Sequence, residues 1–363
     1  MEFIELAELC DKGSSNLAQK DLVFDSGIYP VYGASGEITK VDFFHQSKPY
    51  LGLIKDGAGV GRVMQLSANS SVIGTIQYIF PKENVDLKYL YYLIKYLDLG
   101  KSNTGATIPH IYFKDYKKRK VKVREYSVQK HIGQILELID SHLRIYIKVL
   151  EQYDLLIKSR FDELFLNTHS IETMEIGELF EVGSSKRILQ SELTTYGIPF
   201  YRVTDLINRI NGRPVDIKQY VDELKYMTLI KEKYVPQAGD FLITARGTIG
   251  KIYEVKQNDK FYFQDGMITW LKRKNNYINN LFFMELVKTD WFRRQFYSSN
   301  NGTTISYLSI TDTRHLKVLL PALNLQLKFA QEVYQINKLK SDVQKSIDET
   351  QLLMDSLMQE YFG

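Results

Sequence analysis

The chain contains two copies of one plan, and this internal duplication limits its possible folds more than any other feature. The segment ELAEL at residues 5–9 recurs as EIGEL at residues 175–179, and a Gly-Ser-Ser step follows each copy. The segment TGATI at residues 104–108 recurs as NGTTI at residues 301–305, after which the copies match without a gap. A repeat of about 190 residues is far longer than a solenoid unit. The sequence therefore predicts two copies of a whole domain, each followed by a connector.

Such a duplicated chain has pseudo-two-fold character. Double-stranded DNA offers two half-sites to proteins that have two-fold symmetry, so a DNA reader is one function that this organisation favours. The net charge of +4 and a pI near 8.7 are compatible with nucleic-acid binding without being diagnostic of it.

Composition sets broad limits on the class of protein. The chain has 363 residues, of which 44% are hydrophobic and 25% charged, which is enough for two or three domains with buried cores. The single cysteine, Cys10, excludes a disulfide framework and a cysteine-based zinc site. We find no signal-like N-terminus and no apolar run long enough for a membrane span, and therefore expect a cytoplasmic protein without membrane association.

Two segments have the pattern of long helices. Residues 127–165 contain no proline and a single glycine, and their apolar residues alternate between spacings of four and three, as in a coiled coil. At ~1.5 Å per residue, such a helix would span roughly 58 Å. Residues 324–362 carry the same pattern, interrupted at Lys340 and Thr350. Each helix alone would expose a long apolar stripe, so we expect the two to pair with each other. The apolar positions are Ile132, Leu136, Ile139, Leu143, Tyr146, Leu150, Tyr153 and Ile157 in the first segment, and Phe329, Val333, Ile336, Val343, Ile347, Met354 and Tyr361 in the second.

The segments that precede these helices have the pattern of mixed α/β domains. In the first copy we predict strands at residues 50–54, 71–76 and 77–80 and a buried helix at residues 87–97. In the second copy we predict strands at residues 241–244 and 251–255 and a buried helix at residues 281–287. The whole chain is therefore predicted to be of the α+β class.

No catalytic signature stands out. The chain has no phosphate-binding loop, no His-Glu-x-x-His and no Gly-x-Ser-x-Gly, and its six histidines lack metal-ligand spacing. Asp216 with Glu223 and Lys225 resembles a metal-dependent nuclease triad, but this spacing arises easily by chance on a solvated helix. His110, beside Pro109 in a loop, is the one histidine of interest, and a surface or turn position is the favoured explanation for it. We therefore predict a protein that is not an enzyme.

Basic and glycine-rich segments are the better candidates for binding. Residues 117–124 hold six positive charges in eight positions, which fits either a phosphate-binding edge or a solvated strand. Arg62 and Lys251 follow a glycine turn in the first and second copy, respectively. Gly105 with Thr107 and Gly302 with Thr304 form a second recurring pair of loops, whose amides and hydroxyls could bind phosphate or build turns.

This ordered and repeated set of motifs resembles the specificity (S) subunits of type I restriction–modification systems. The set comprises the opening ELAEL, the glycine turn at residues 57–62, the TGATI segment and the long helix ending SRFDELF at residue 165. The segment YPVYGASG at residues 29–36 is also typical of the family, while its counterpart at residues 198–205 departs from it. The resemblance covers nearly the full chain.

The resemblance implies a non-catalytic DNA reader. Two target-recognition domains would each read one half of a bipartite site in double-stranded DNA, and two antiparallel coiled-coil helices would hold them apart. The helices would also dock methyltransferase (M) subunits and, through these, restriction (R) subunits. S-adenosylmethionine, ATP and Mg²⁺ would belong to those partners, and the chain itself would need no cofactor. The implied segments are residues 1–126 and 173–323 for the recognition domains, and residues 127–172 and 324–363 for the helical spacers.

Two alternatives to this reading remain at this point. The chain could serve another multi-subunit restriction system, or it could be a coiled-coil protein scaffold without DNA binding. Within the DNA-binding reading, the candidate contacts are residues in loops that recur or that carry polar side chains at recognition-domain positions. They are Ser35, Lys55, Arg62, Arg202, Asp205, Arg246, Lys251 and Thr304.

Overall fold

The computed structural model describes residues 2–102, 109–167, 171–298 and 307–363. The chain divides into two compact units. Unit 1 comprises Met1–Val149 and Asp342–Gly363, and unit 2 comprises Leu150–Ser341. Because this division cuts both long helices, each unit contains a part of each helix. The domain limits at residues 126, 172 and 323 stay predictions.

Unit 1 combines small sheets with a buried helix. Its strands are β1 (Glu2–Glu5), β2 (Cys10–Ser14), β3 (Tyr29–Gly33), β4 (Gly36–Val41), β5 (Tyr50–Ile54), β6 (Val63–Leu66), β7 (Ser71–Val72), β8 (Ile76–Pro81) and β9 (Lys120–Val123). Its helices are α1 (Leu6–Leu9), α2 (Leu87–Leu97), α3 (Phe113–Tyr116) and the first part of α4 (Tyr126–Phe161). The sheets have the strand orders β2-β8-β5-β6, β4-β3-β7 and β1-β9.

Unit 2 repeats two of the three sheets of unit 1. Its strands are β10 (Thr173–Glu175), β11 (Phe180–Gly183), β12 (Leu193–Thr194), β13 (Ile198–Tyr201), β14 (Tyr220–Val221), β15 (Phe241–Thr244), β16 (Ile252–Glu254), β17 (Tyr262–Phe263), β18 (Ile268–Arg273) and β19 (Lys317–Leu319). Its helices are α5 (Ile176–Leu179), α6 (Val203–Ile210), α7 (Glu223–Lys231), α8 (Asn280–Leu286), α9 (Asp290–Arg293), α10 (Gln295–Ser298), α11 (Ile310–His315) and the first part of α12 (Leu323–Phe362). The sheet β11-β18-β15-β16 corresponds to β2-β8-β5-β6, and β10-β19 corresponds to β1-β9.

Most predicted elements are confirmed within a residue or two. The strand β5 and the helix α2 have the predicted bounds, and α2 buries Tyr89, Leu90, Tyr92, Leu93 and Ile94. The predicted strand at residues 71–76 is wrong over residues 73–75, because the chain turns there and the Ile76 amide donates to the Ile73 carbonyl at 3.0 Å. The basic segment 117–124 is a strand only over Lys120–Val123, where it pairs with β1.

The two long helices form as the heptad pattern predicts. α4 spans 36 residues and ends in a π-helical turn over Asp162–Leu166, and α12 spans 40 residues. In unit 1 the beginning of α4, at Ile132 and Leu136, shares a core with the end of α12, at Met358 and Phe362. In unit 2 the end of α4, at Phe161, shares a core with the beginning of α12, at Phe329. The α+β class and the pairing of two antiparallel helices are therefore confirmed.

Aromatic rings at the repeated helix ends fill the same place in each unit. In unit 2, the ring of Phe165 lies 4.9 Å from that of Phe282 on α8 and 5.4 Å from that of Phe329 on α12. In unit 1, the ring of Phe362, the counterpart of Phe165, lies 5.2 Å from that of Tyr89 on α2. The buried helices α2 and α8 are thus each packed against the end of a long helix.

Candidate functional site

A glycine turn follows the central strand of the main sheet in unit 1. The Gly61 amide donates to the Ile54 carbonyl at 2.8 Å, and the Ile54 amide donates to the Arg62 carbonyl at 2.9 Å, which closes the turn. Gly61 has φ of +85°, and a Cβ there would lie 2.1 Å from the Gly100 nitrogen. Only glycine fits this position, and the turn presents Arg62, whose side chain is exposed, immediately after it.

Unit 2 builds the same turn with one residue fewer. The Gly250 amide donates to the Thr244 carbonyl, and the Thr244 amide donates to the Lys251 carbonyl, each at 2.9 Å. A Cβ on Gly250 would lie 2.4 Å from the ring of Phe296. The matching hydrogen bonds show that Arg62 and Lys251 occupy equivalent positions, as the repeat predicts.

A second segment crosses the start of each turn. In unit 1, the Ile111 amide donates to the Lys55 carbonyl at 3.0 Å, and Asp56 forms an isolated antiparallel bridge with His110. In unit 2, the Leu308 amide donates to the Ala245 carbonyl at 2.9 Å, and Arg246 forms the corresponding bridge with Tyr307. The backbone is therefore the same at both places, and the side chains are not.

The side chains at this crossing have different chemistry in the two units. In unit 1, the Asp56 carboxylate lies 2.8 Å from His110 Nδ1 and 3.4 Å from Lys55 Nζ. The His110 ring contacts the ring of Tyr112 at 4.0 Å between centroids, and Lys114 lies over that ring. In unit 2, by contrast, the exposed Arg246 guanidinium lies over the ring of Tyr307 at 4.4 Å.

The turn between β3 and β4 joins the glycine turn of unit 1. Arg62 Nη2 donates a hydrogen bond to the Ala34 carbonyl, next to the exposed Ser35. Three predicted contacts, Ser35, Lys55 and Arg62, therefore lie on one edge of the unit. In unit 2, Arg246 and Lys251 flank the equivalent turn.

Arg202 and Asp205 line a polar cavity elsewhere in unit 2. Asp205 accepts a hydrogen bond from the Arg202 amide at 2.9 Å and so caps α6, while Arg202 Nη2 donates to Gln219 Oε1 at 2.6 Å. The cavity has a volume of about 540 Å³, and neither Arg246 nor Lys251 lines it. Its lining residues are Phe200, Arg202, Thr204, Asp205, Asn208, Asp216, Lys218 and Gln219.

A cluster around Arg209 fixes α6, the helix that carries Asp205. Arg209 Nε donates to the Tyr253 hydroxyl at 2.8 Å, and that hydroxyl donates to Asp259 at 2.7 Å. Burial raises the pKa of Tyr253 to about 12, so its phenol stays neutral and able to donate. The side chains of α6 that face the cavity are thus presented from a fixed support.

The remaining candidates from the sequence do not join these sites in the described part of the chain. Thr304 and the two recurring Gly-x-Thr loops lie outside the described residues. The suspected nuclease triad is not assembled, because Glu223 pairs with Lys260 at 3.8 Å and Lys225 pairs with Glu192 at 2.9 Å. In the part of the chain that the structure describes, no group of three or more His, Cys, Asp or Glu side chains could hold a metal. No helix there is long and apolar enough to cross a membrane.

Sequence reasoning missed Asp56 and Tyr307 as partners in the candidate site. The signal was available in the repeat, since His110 and Tyr307 occupy matching positions in the two copies, as do Asp56 and Arg246. Asn208, Lys218 and Gln219 gave no such signal, because the corresponding segment of the first copy differs.

Comparisons with known proteins agree with this architecture. Residues 1–152 and 169–349 match the family described as the type I restriction modification DNA specificity domain. A putative type I restriction enzyme specificity subunit of Haemophilus influenzae is 23% identical over 319 residues, which cover 83% of this chain and 78% of the relative. The MjaVIII specificity subunit of Methanocaldococcus jannaschii is 22% identical, with 79% of this chain and 72% of the relative covered.

Solved structures share the fold. The S subunit of a type I restriction–modification system from M. genitalium superposes with a TM-score of 0.65 at 19% identity, over 100% of this chain and 96% of that one. A chain from a study of complex assembly in a type I system gives a TM-score of 0.56 at 11% identity, over 99% of this chain and 97% of that one. The fold is thus that of a duplicated recognition protein with paired long helices. The chain belongs to the family of type I restriction–modification specificity subunits.

Proposed function

We propose that this chain is the DNA-reading subunit of a type I restriction–modification complex, in which each recognition domain binds one half of a bipartite site in double-stranded DNA. The observation that carries the proposal is the pair of equivalent glycine turns, each followed by a cation, Arg62 or Lys251. Loops that place a basic side chain at the edge of a domain suit contacts to the phosphate backbone. Two such edges in one chain suit two half-sites.

Partner docking is the second part of the proposal. Each unit has a groove beside its buried helix, α2 or α8, and the long helices, with a volume of 380 Å³ in unit 1 and 350 Å³ in unit 2. The two grooves correspond in the repeat, because Lys95 matches Lys288 and Met354 matches Ile157. We infer that a methyltransferase subunit docks at each groove and that restriction subunits join through the methyltransferase subunits. Charged side chains such as Asp140 and Lys101 in unit 1 would lie at the polar rim of such an interface.

The chemistry then lies on the partners. S-adenosylmethionine would be bound by the methyltransferase subunits, and ATP and Mg²⁺ by the restriction subunits, in the cytoplasm where the host DNA is found. The specificity chain contributes binding and positioning alone.

A salt titration of DNA binding tests the proposal. The full chain with its methyltransferase subunit is titrated against duplex DNA at several salt concentrations, and log Kobs is expected to fall linearly with log salt. Arg62→Ala and Lys251→Ala should each reduce the magnitude of that slope by about 0.9. Lys338→Ala, at an exposed position on α12, is the matched control and should leave the slope unchanged. A complex that binds no DNA at any salt concentration would instead identify the chain as a protein scaffold.

A further inference from the structure

The two recognition domains present opposite chemistry at one equivalent backbone position. Asp56 and Arg246 stand immediately before the first glycine of their turns, and each bridges a residue on the crossing segment, His110 or Tyr307. The backbone hydrogen bonds on either side match between the units, so Asp56 and Arg246 project from equivalent backbone positions. A fixed backbone with a variable side chain is what a position that reads a base requires.

In unit 2 this backbone position carries an arginine, Arg246. The Arg246 guanidinium lies 4.4 Å from the centroid of the Tyr307 ring, a distance typical of a cation–π contact. Among the described residues, no carboxylate lies within ion-pair distance of Arg246. Stacking on one face leaves the N–H groups at the edge of the guanidinium plane available as a donor fork. Such a fork matches O6 and N7 of guanine in the major groove.

In unit 1 the equivalent backbone position carries an aspartate, Asp56. Asp56 contacts His110 and Lys55 at 2.8 and 3.4 Å, and its side chain remains 30% exposed. An ionised carboxylate has about four lone-pair sites, so two contacts leave acceptor capacity toward solvent. An acceptor without donors of its own matches the N4 amino group of cytosine. It does not match guanine, whose O6 and N7 are both acceptors.

We propose that this position determines specificity in each domain, with Arg246 reading a guanine in one half-site and Asp56 reading a cytosine in the other. This inference rests on the proposed function, since it names the bases that the two recognition edges read. Tyr307 is a positioning residue for Arg246, and His110 is one for Asp56. Arg62 and Lys251, beside them, contact phosphate and set register without reading sequence.

The opposing possibility is that both side chains serve other purposes. Arg246 could contact a phosphate, and the Asp56–His110 pair could merely fasten the crossing segment. A phosphate contact weakens binding to every sequence alike, whereas a base contact changes one position of the recognised site. The two cases are therefore separated by the recognised motif and not by affinity alone.

The test is genome-wide methylation sequencing of cells that carry the full chain with its methyltransferase subunit. Arg246→Gln is expected to relax a guanine at one position of one half-site, with discrimination falling roughly 5- to 150-fold. Arg246→Lys keeps the charge but loses the planar fork, so it should relax the same position. Tyr307→Ala removes the ring on which the guanidinium stacks, so it should weaken discrimination at the same position. Asp56→Asn should relax a cytosine in the other half-site, and Asp56→Glu provides a second variant that keeps the charge.

Asp11→Asn is the matched control, because Asp11 is an exposed carboxylate of unit 1 that also faces a lysine, Lys82, at 3.7 Å. Its motif should remain that of the wild type. The inference is overturned if a chain-dependent wild-type motif persists unchanged in folded Arg246 and Asp56 variants, and the proposed function then still stands. If the wild-type chain directs no bipartite methylation at all, both the function and the inference fall.

Discussion

Among single residues, one buried glutamine in each unit links the recognition domain to a long helix. Gln326 accepts a hydrogen bond from the Asn279 amide at 2.8 Å and donates to the Pro321 carbonyl at 2.8 Å. Gln129, its counterpart in the repeat, accepts from the Asp86 amide at 3.0 Å. In both units the bonded amide belongs to the N-cap residue of the buried helix, α2 or α8, so one glutamine side chain links the start of that helix to the start of a long helix.

We predict that Gln326→Leu destabilises unit 2. The substitution leaves three groups without their partner, namely the Asn279 amide and the carbonyls of Tyr277 and Pro321. Gln326 is 0% exposed, so water cannot replace it. The expected loss is about 1–3 kcal/mol for each group left unsatisfied. Urea unfolding followed by tryptophan fluorescence measures it, because both tryptophans, Trp270 and Trp291, belong to unit 2.

Gln335→Leu is the matched control on the same helix, since Gln335 is exposed. A surface change of this kind should alter the free energy of unfolding by less than about 0.5 kcal/mol. Equal destabilisation by the two substitutions would contradict the role assigned to Gln326.

Among elements, the pairing of α4 with α12 in unit 2 includes two ion pairs, Lys340 with Asp154 and Arg160 with Glu332. Arg160 Nε donates to Glu332 at 2.9 Å, and Arg160 also contacts Glu163 at 2.9 Å. The hydrogen bond from Arg160 holds the pKa of Glu332 below its usual range. Both partners are about one-third exposed, so solvent screening limits the contribution to stability.

The pH dependence of this contribution has a definite sign. Because the folded-state pKa of Glu332 is depressed, the stabilisation is present above the unfolded-state pKa and is lost as pH falls through the folded-state value. We therefore predict that Glu332→Gln lowers the free energy of unfolding at pH 7 by less than about 1 kcal/mol. At pH 3 the difference from wild type should shrink. Urea unfolding of the wild type and the variant at both pH values measures this difference. A difference in the free energy of unfolding that grows on acidification would contradict the stabilising role of the Arg160–Glu332 pair.

The long helices were predictable because their signal is local. The heptad positions Ile132, Leu136 and Ile157 are buried, as a four-three spacing requires, and each follows from neighbours a few residues away. The predicted strand at residues 71–76 was wrong because the turn after Val72 depends on a distant contact, in which Gly74 donates to the Leu17 carbonyl at 2.8 Å.

The candidate site was less predictable than the helices. Arg62 and Lys251 were found because the repeat places each after a glycine turn. The contact between Asp56 and His110 joins residues 54 positions apart, and no local pattern records it. The cavity beside Arg202 likewise depends on the return of the chain at Lys218 and Gln219. Sites assembled from such crossings require the tertiary structure.

At the scale of the whole molecule, the proposed function gives the long helices the task of a spacer between half-sites. Inserting four residues in α4 after Val149, with four more in α12 after Ser341, would lengthen each helix by ~6 Å and nearly preserve its phase. The expected result is a spacer longer by about one or two base pairs, at ~3.4 Å per pair, with unchanged half-sites. Methylation sequencing reads both features.

Two-residue insertions at the same positions provide the matched control. They rotate the following segment by about 200°, so we expect them to abolish methylation. An unchanged spacer after the four-residue insertions, or full activity after the two-residue insertions, would show that the helices do not set the distance.

We propose that the two recognition domains read DNA independently of each other. Exchanging residues 1–126 for the matching segment of a relative with a different specificity tests it most directly, with methylation sequencing of cells that also carry the methyltransferase subunit. We predict a bipartite motif in which one half-site changes to that of the relative and the other stays as in the wild type. A motif that changes in both halves, or in neither, would contradict the claim.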